Sequence, residues 1–192
     1  MKEILLEDNG DPMIDLRGYD FVLEPVYFNQ GFSNDSRMLL RKSVADKLAQ
    51  KQKELGKYKF KIWDGYRPHV VQKVIYDKYF QELIDLHPDW SIDKVKEEAK
   101  KFVADPYDPD FAPPHSTGGT VDLTLVDQNG KELDMGTVFD HFGPEAEPFY
   151  FDKNPGNEIA RDNRKILRDA MLSLGFTQDI HEWWHFDYGN EK

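Results

Sequence analysis

The sequence predicts an α+β fold, an antiparallel sheet flanked by helices. Three observations carry this prediction. Helical periodicity is confined to blocks at about 37–56, 69–103 and 157–174. Strand-like alternation falls between those blocks without a regular βαβ succession, which disfavours a doubly wound sheet. Two long Pro/Gly-containing stretches, 106–119 and 134–156, separate the pieces, and loops of that length are commonly functional or disordered. At 192 residues the chain is expected to form one domain over 1–192, burying on the order of 70 % of its unfolded surface.

Residues 1–36 read as irregular, with scattered Pro, Gly and Asn and short apolar pieces such as Tyr19 to Leu23. From Arg37 onward Leu40, Val44, Leu48 and Leu55 recur at spacings of four or seven, predicting a helix that Gly56 ends. Tyr58, Phe60 and Ile62 alternate with Lys57, Lys59 and Lys61, a half-exposed strand that stops at the turn Asp64-Gly65-Tyr66-Arg67-Pro68. Val71, Ile75, Tyr79 and Leu83 step by four along a long helix closed by Pro88. Ser91 is placed to cap the next helix, whose apolar face is Ile92, Val95, Ala99, Phe102 and Val103. Val121, Leu123 and Leu125 alternate with Thr120, Asp122 and Thr124 in a strand, followed by a turn at Asp127-Gln128-Asn129-Gly130. A helix over 157–174 carries Ile166, Leu167, Ala170, Met171 and Leu174 and stops at Gly175; the aromatic segment Glu182 to Tyr188 reads as the last strand.

Composition removes whole classes of function. The 25 Lys and Arg against 36 Asp and Glu give a net charge of −11, which repels a phosphate backbone and argues against nucleic acid. No apolar run is long enough to span a membrane, and Met1 to Asp8 lacks the apolar core of a signal peptide, so a cytoplasmic protein is expected. Cysteine is absent, which excludes disulfides, Cys-ligated zinc, iron–sulfur clusters and thiol nucleophiles. A metal site here must be built from His, Asp and Glu.

Six histidines are present. His115 lies in a Pro/Gly loop just before the strand that carries Asp122, and Gly118 and Gly119 permit the chain to fold back between them. His185 lies near the C-terminus beside Glu182. A His/Asp/His set suits a Zn²⁺ that keeps its fourth position open for water. Each residue alone has an ordinary alternative role at the surface or in the core; the joint pattern is what points to chemistry. His181-Glu182-Trp183-Trp184-His185 also spells H-E-x-x-H, but that motif needs a helix to bring both imidazoles onto one face. Trp183, Trp184, Phe186 and Tyr188 favour a strand instead, so His181 is not expected to be a ligand.

Three segments together resemble the D-Ala-D-Ala dipeptidases associated with vancomycin resistance (VanX-type). His115-Ser116-Thr117-Gly118-Gly119-Thr120-Val121-Asp122-Leu123-Thr124-Leu125 is similar to their H-x-x-G-x-x-x-D-L-T-L segment, Glu182-Trp183-Trp184-His185 to their E-W-W-H, and Trp63-Asp64-Gly65-Tyr66-Arg67-Pro68 to their W-D-G-Y-R-P, in the same order and spacing. The resemblance implies the α+β fold shared with peptidoglycan DD-peptidases and the hedgehog signalling domain. It implies that His115, Asp122 and His185 bind one Zn²⁺, that Glu182 is the general base and that Arg67 stabilises charge on the scissile carbonyl of a small D,D-dipeptide. The alternatives are a peptidoglycan DD-carboxypeptidase or endopeptidase, and a zinc-binding domain without turnover. The family pattern has a Ser where this chain has Pro113, so Tyr66 or Ser116 is a candidate substitute at the substrate; Asp140 is a candidate partner for the substrate ammonium. Trp183 and Trp184 suit either a pocket wall or core packing. On a regular strand Glu182 and His185 point to opposite faces, so their joint use demands an irregularity between 182 and 185.

Overall fold

The computed structural model describes residues 10–108 and 112–189. The expectations for Met1 to Asp8 and for the 109–111 part of the loop 106–119 lie outside the described residues. In chain order the strands are β1 (Met13–Asp15), β2 (Val22–Leu23), β3 (Leu39–Arg41), β4 (Lys59–Asp64), β5 (Thr120–Val126), β6 (Thr177–Gln178) and β7 (His185–Asp187). The helices are α1 (Val26–Asn29), α2 (Lys42–Leu55), α3 (His69–Leu86), α4 (Ile92–Ala99), α5 (Tyr150–Lys153) and α6 (Glu158–Ser173). β1 and β3 form a two-stranded antiparallel ribbon, and the main sheet has the order β2-β4-β5-β7-β6.

The expected α+β fold is present, with one correction to the antiparallel sheet: β2 pairs with β4 in parallel. The chain between them runs through α1, β3 and α2, long enough for the crossover that a parallel neighbour requires. The helix expected from Arg37 begins instead at Lys42. Leu39 to Arg41 pair with β1, and Arg41 donates its N–H to Gly118 O, so tertiary pairing takes the first turn away from the helix. The apolar spacing of Leu40 and Val44 is compatible with either assignment. Gly56 ends α2 at φ 64°, a conformation that glycine adopts without strain. Ser91 caps α4 through a hydrogen bond from Lys94 N, and α4 ends at Ala99 before the expected Phe102 and Val103. A hydrogen bond from Val103 N to Ala99 O nevertheless keeps Val103 on the buried side.

β5 is the axis of the molecule. All seven of its residues are buried, the apolar row Val121, Leu123 and Leu125 as well as the polar row Thr120, Asp122 and Thr124. The apolar row meets Phe60, Ile62, Phe186, Leu48 of α2, and Leu167 and Met171 of α6 in the larger core. A second cluster joins α3 to α4 through Val71, Ile75, Tyr79, Leu83, Val95 and Ala99. Residues just after α4 line a cavity together with Asp122, so Asp122 in the polar row is covered by a site rather than by core. Among the described residues no helix is long and apolar enough to cross a membrane.

The stretch 134–156, expected as loop, contains a 3-10 turn at Pro144–Ala146 and the short α5. Arg164 of α6 pins it. Its side chain, 1 % exposed, donates Nε to Met135 O, Nη1 to Glu147 O and Nη2 to Glu145 O, and its guanidinium lies over the Phe151 ring. A buried cation shared among three carbonyls fixes the loop between them. Arg164→Ala leaves those acceptors without their donor and is expected to lower stability by about 3 kcal/mol or more. Urea unfolding measures this, and a loss under about 1 kcal/mol would show that the loop holds itself in place.

Candidate active site

The five side chains that sequence reasoning put forward for metal and catalysis line one cavity of about 200 Å3: Arg67, His115, Asp122, Glu182 and His185, joined by Asp140. Their convergence depends on local irregularities. Asp64 follows a register shift in β4: Ile62 pairs with Leu123 but Asp64 pairs with Asp122, leaving Trp63 as an extra residue. The bulge turns Asp64 onto the face of Asp122, away from the apolar face of Ile62. His115 sits in a 3-10 turn at Pro114–Thr117 that ends on Gly118 at φ 73°. Gly65 has to be glycine for a different reason: a Cβ there would stand 2.5 Å from Leu39 O.

The irregularity required between 182 and 185 is present. Trp183 and Trp184 form a turn, His185 N approaches Glu182 O at 3.4 Å, and β7 starts only at His185. Asp179 secures this turn, its Oδ1 accepting from His181 N at 2.6 Å and Glu182 N at 3.1 Å. His181 packs near Phe102 and is outside the metal-type cluster, so the H-E-x-x-H reading has no helix to stand on.

His115, Asp122 and His185 each offer a ligand atom, and these atoms lie within 4.8 Å of one another. Asp122 and His185 are register partners across β5 and β7, with Oδ1 3.0 Å from Nδ1. His115 Nδ1 lies 2.7 Å from Gly65 O. A carbonyl only accepts, so Nδ1 carries the proton and Nε2 is left with a lone pair. That Nε2 is buried, lacks a hydrogen-bond partner, and faces Asp122 Oδ2 at 3.2 Å. A lone pair set against a carboxylate oxygen is repulsive unless a cation lies between them, and the donor set His/Asp/His is one that Zn²⁺ accepts. Burial works to raise the Asp122 carboxyl, but His115 and His185, wherever they carry a proton in the metal-free site, outweigh it and hold the group well below the usual carboxylate range. For His185 burial works downward, and Asp122 and Asp187 raise it well above the usual imidazole value.

Glu182 Oε2 lies 3.6 Å from His185 Nδ1. Burial pushes its carboxyl well above the ordinary value, His185 opposes and Asp122 adds to the rise. Arg67, 8 % exposed, donates Nε to Asp64 at 2.7 Å, Nη1 to Gln72 at 2.8 Å and Nη2 to the Tyr27 hydroxyl at 3.3 Å, while Nη2 stands 3.5 Å from Asp122 Oδ2. Burial disfavours its charge, but the negative groups around it keep the guanidinium ionised, above its usual range. Asp140 sits at φ 57° and accepts from the Tyr27 hydroxyl. A left-handed conformation at a non-glycine residue is a local cost that marks functional sites.

Tyr66 and Ser116, the candidates at the substrate, do not line this cavity. Tyr66 lines a neighbouring one of about 170 Å3, and the Ser116 hydroxyl donates to Pro113 O. Trp183 is core, its Nε1 donating to Thr137, whereas Trp184 is both core and cavity wall. Sequence reasoning missed Tyr27, Gln72 and Asp179. Gln72, five residues after Arg67 in the first turn of α3, was the most accessible of these; Tyr27 lies in a stretch with no periodic signal.

The fold and this site define a metallopeptidase, with a mononuclear His/Asp/His donor set beside an acid and a guanidinium. The chain belongs to the D-Ala-D-Ala dipeptidase family, Peptidase_M15, whose model matches residues 22–192. It is similar to the D-alanyl-D-alanine dipeptidase of Synechocystis sp., 28 % identical over 98 % of this chain and 86 % of that protein. The D-alanyl-D-alanine dipeptidase of Enterococcus faecalis is 30 % identical over 79 % of this chain and 73 % of that protein. Among solved structures, a vancomycin-resistance D,D-pentapeptidase in complex with Zn(II) matches 90 % of this chain and 80 % of its own at 19 % identity, with a TM-score of 0.42.

Burial, reinforced by the charge of Asp122 and opposed by Arg67, raises the Asp140 carboxyl to about 7 from its ordinary 3.8. The folded chain therefore holds a proton that the unfolded chain has released across that interval. Stability from this group is full below pH 4 and falls as pH rises toward 7, by up to about 1.4 kcal/mol per pH unit. Glu182 contributes with the same sign. In the metal-free protein, Asp140→Asn is expected to flatten part of that decline in urea unfolding between pH 4 and 7.5; an unchanged slope would remove Asp140 from the account.

Proposed function

We propose that the chain acts as a single zinc-dependent D,D-dipeptidase domain, hydrolysing D-Ala-D-Ala or a close D,D-dipeptide to free amino acids. The observation that carries this reading is the orphaned Nε2 of His115 facing Asp122, with His185 on the other oxygen and Glu182 alongside. His115, Asp122 and His185 hold the metal. Bound Zn²⁺ supplies Lewis acidity that makes water nucleophilic near neutral pH.

Glu182 takes the proton of the attacking water and passes it to the leaving amine. Burial raises this carboxyl above the ordinary range, which favours its holding the proton between the two halves of that transfer. Arg67 keeps a fixed positive charge on the cavity wall for the oxygen of the tetrahedral carbonyl. Its contacts to Asp64, Gln72 and Tyr27 hold the guanidinium plane in place before substrate arrives.

The cavity of about 200 Å3 has room for a small substrate such as a dipeptide. Asp140 is the carboxylate for the substrate ammonium.

Purified protein assayed for bound zinc and for free D-Ala tests the reading. Wild type is expected to carry one Zn²⁺ and release D-Ala; Glu182→Gln is expected to keep the metal and lose roughly 10²–10⁴ in kcat. His115→Ala is expected to lose both metal and activity. A wild-type protein that binds no zinc, or a Glu182→Gln variant with undiminished turnover, overturns the assignment. Cleavage of a pentapeptide at the dipeptide's rate would move the substrate to peptidoglycan stems.

A further inference from the structure

His185 has two ring nitrogens in different surroundings. Its Nδ1 edge faces Asp122 Oδ1 at 3.0 Å and Glu182 Oε2 at 3.6 Å, which is the site side. Its Nε2 edge lies 3.5 Å from Oδ2 of Asp187, a residue to which sequence reasoning gave no role. Asp187 is two residues further along β7, so both side chains project from the same face of the sheet. Directly across from it in register is Thr120 of β5, as Asp122 is across from His185. The Thr120 hydroxyl, fully buried, donates to Asp187 Oδ1 at 2.6 Å. The two oxygens of Asp187 are thus divided: one is held by Thr120, and the other is turned toward the imidazole.

The rungs Thr120–Asp187 and Asp122–His185 form a two-step ladder on one face of the β5–β7 pair. Its effect is to choose a tautomer. When the ring is neutral, as a metal ligand must be, a proton kept on the Nε2 edge that faces Asp187 leaves the Nδ1 lone pair on the opposite side, where Asp122 and Glu182 lie. His115 is fixed in the complementary sense, with Nδ1–H on Gly65 O and the Nε2 lone pair inward. Each imidazole thus has an acceptor on its outward edge: Gly65 O for His115, with Asp64 Oδ2 at 3.4 Å beyond it, and Asp187 Oδ2 for His185. A carboxylate partner orients the ring and also makes the donor nitrogen more basic.

We propose that Asp187, held by Thr120, is a positioning residue that fixes His185 as an Nδ1 donor and sets the metal affinity of the site. This inference rests on the metal reading given under Proposed function, with His115, Asp122 and His185 as ligands. Asp187 touches neither substrate nor metal in this scheme and acts only through His185.

The test is zinc affinity, measured by competition with a chromophoric chelator on wild type, Asp187→Ala, Asp187→Asn, Thr120→Val and Thr120→Ser, with metal-free thermal unfolding recorded for each. Asp187→Ala is expected to weaken Zn²⁺ binding on the order of 10–100-fold. Asp187→Asn keeps the shape but not the charge and is expected to fall between Asp187→Ala and wild type. Thr120→Val is expected to shift affinity in the same direction by a smaller factor, and Thr120→Ser to restore it. The metal-free unfolding midpoint of Asp187→Asn is expected to stay near wild type, which a merely structural role would not allow alongside a loss of affinity. Wild-type affinity in both Asp187 variants, with affinity lost in His185→Ala, overturns the positioning role while leaving the metal site standing. Undiminished affinity in His185→Ala would instead overturn the metal reading itself.

Discussion

A carboxylate in the middle of a sheet is the constraint around which this molecule is arranged. Asp122 is 2 % exposed on the central strand, and an ionised carboxylate removed from water carries a penalty of several kcal/mol unless it is paired. His185 from β7, His115 from the loop before β5 and Arg67 from the turn after β4 all reach it. None of these partners is a neighbour along the chain at helical spacing. The partners are tertiary, so the charge is tolerated only once the sheet and both flanking loops have formed. The charge and the fold are thus conditions for each other.

Regular strands could not make this arrangement, because alternation puts every second side chain on the wrong face. Three departures resolve the conflict. The bulge at Trp63 moves Asp64 to the site face, the turn at Trp183 and Trp184 lets Glu182 and His185 face one point, and the Gly118 turn closes the loop that holds His115. The rest of the chain stiffens these departures. Asp179 takes two N–H groups at the turn before Glu182, and Arg164 takes three carbonyls of the loop carrying Asp140. A precise site is obtained by fixing irregular backbone from outside, with buried polar groups that themselves are satisfied.

The sequence displayed the long elements and the chemistry-bearing residues, for separate physical reasons. α6 is amphipathic over four turns, and α3 carries an apolar residue at every fourth position from Val71 to Leu83, so their buried faces were visible without tertiary information. β1, β2 and β6 have two or three residues each, too few for any period to stand out. Leu39 to Arg41 matched the helical phase of α2, and only pairing with β1 decides otherwise. At the site, His115, Asp122, Glu182, His185 and Arg67 were legible because they lie in three dense segments. Tyr27 and Asp187 were not, since a tyrosine in an irregular stretch and an aspartate on a strand are ordinary until their partners are known. Tyr66 and Ser116 are next in sequence to cavity-lining residues but are not themselves part of that lining.

The electrostatics of the cavity link its two tasks. Four carboxylates, Asp122, Asp140, Asp179 and Glu182, share a lining with Arg67, Lys100 and Lys101. Arg67 is committed to Asp64, Gln72 and Tyr27, Lys100 stands near Asp105 and Asp108, and Lys101 is paired with Glu98. The interior of the cavity is accordingly short of positive charge, and after burial itself the negative charge of Asp122 is a cause of the raised carboxyls of both Asp140 and Glu182. A cation at His115, Asp122 and His185 offsets that repulsion at both positions at once. It would lower the cost of ionising Glu182, the proposed base, and Asp140, the proposed ammonium partner. Through charge, the single buried carboxylate of Asp122 thereby couples cation occupancy between His115, Asp122 and His185 to the ionisation of Glu182 and Asp140.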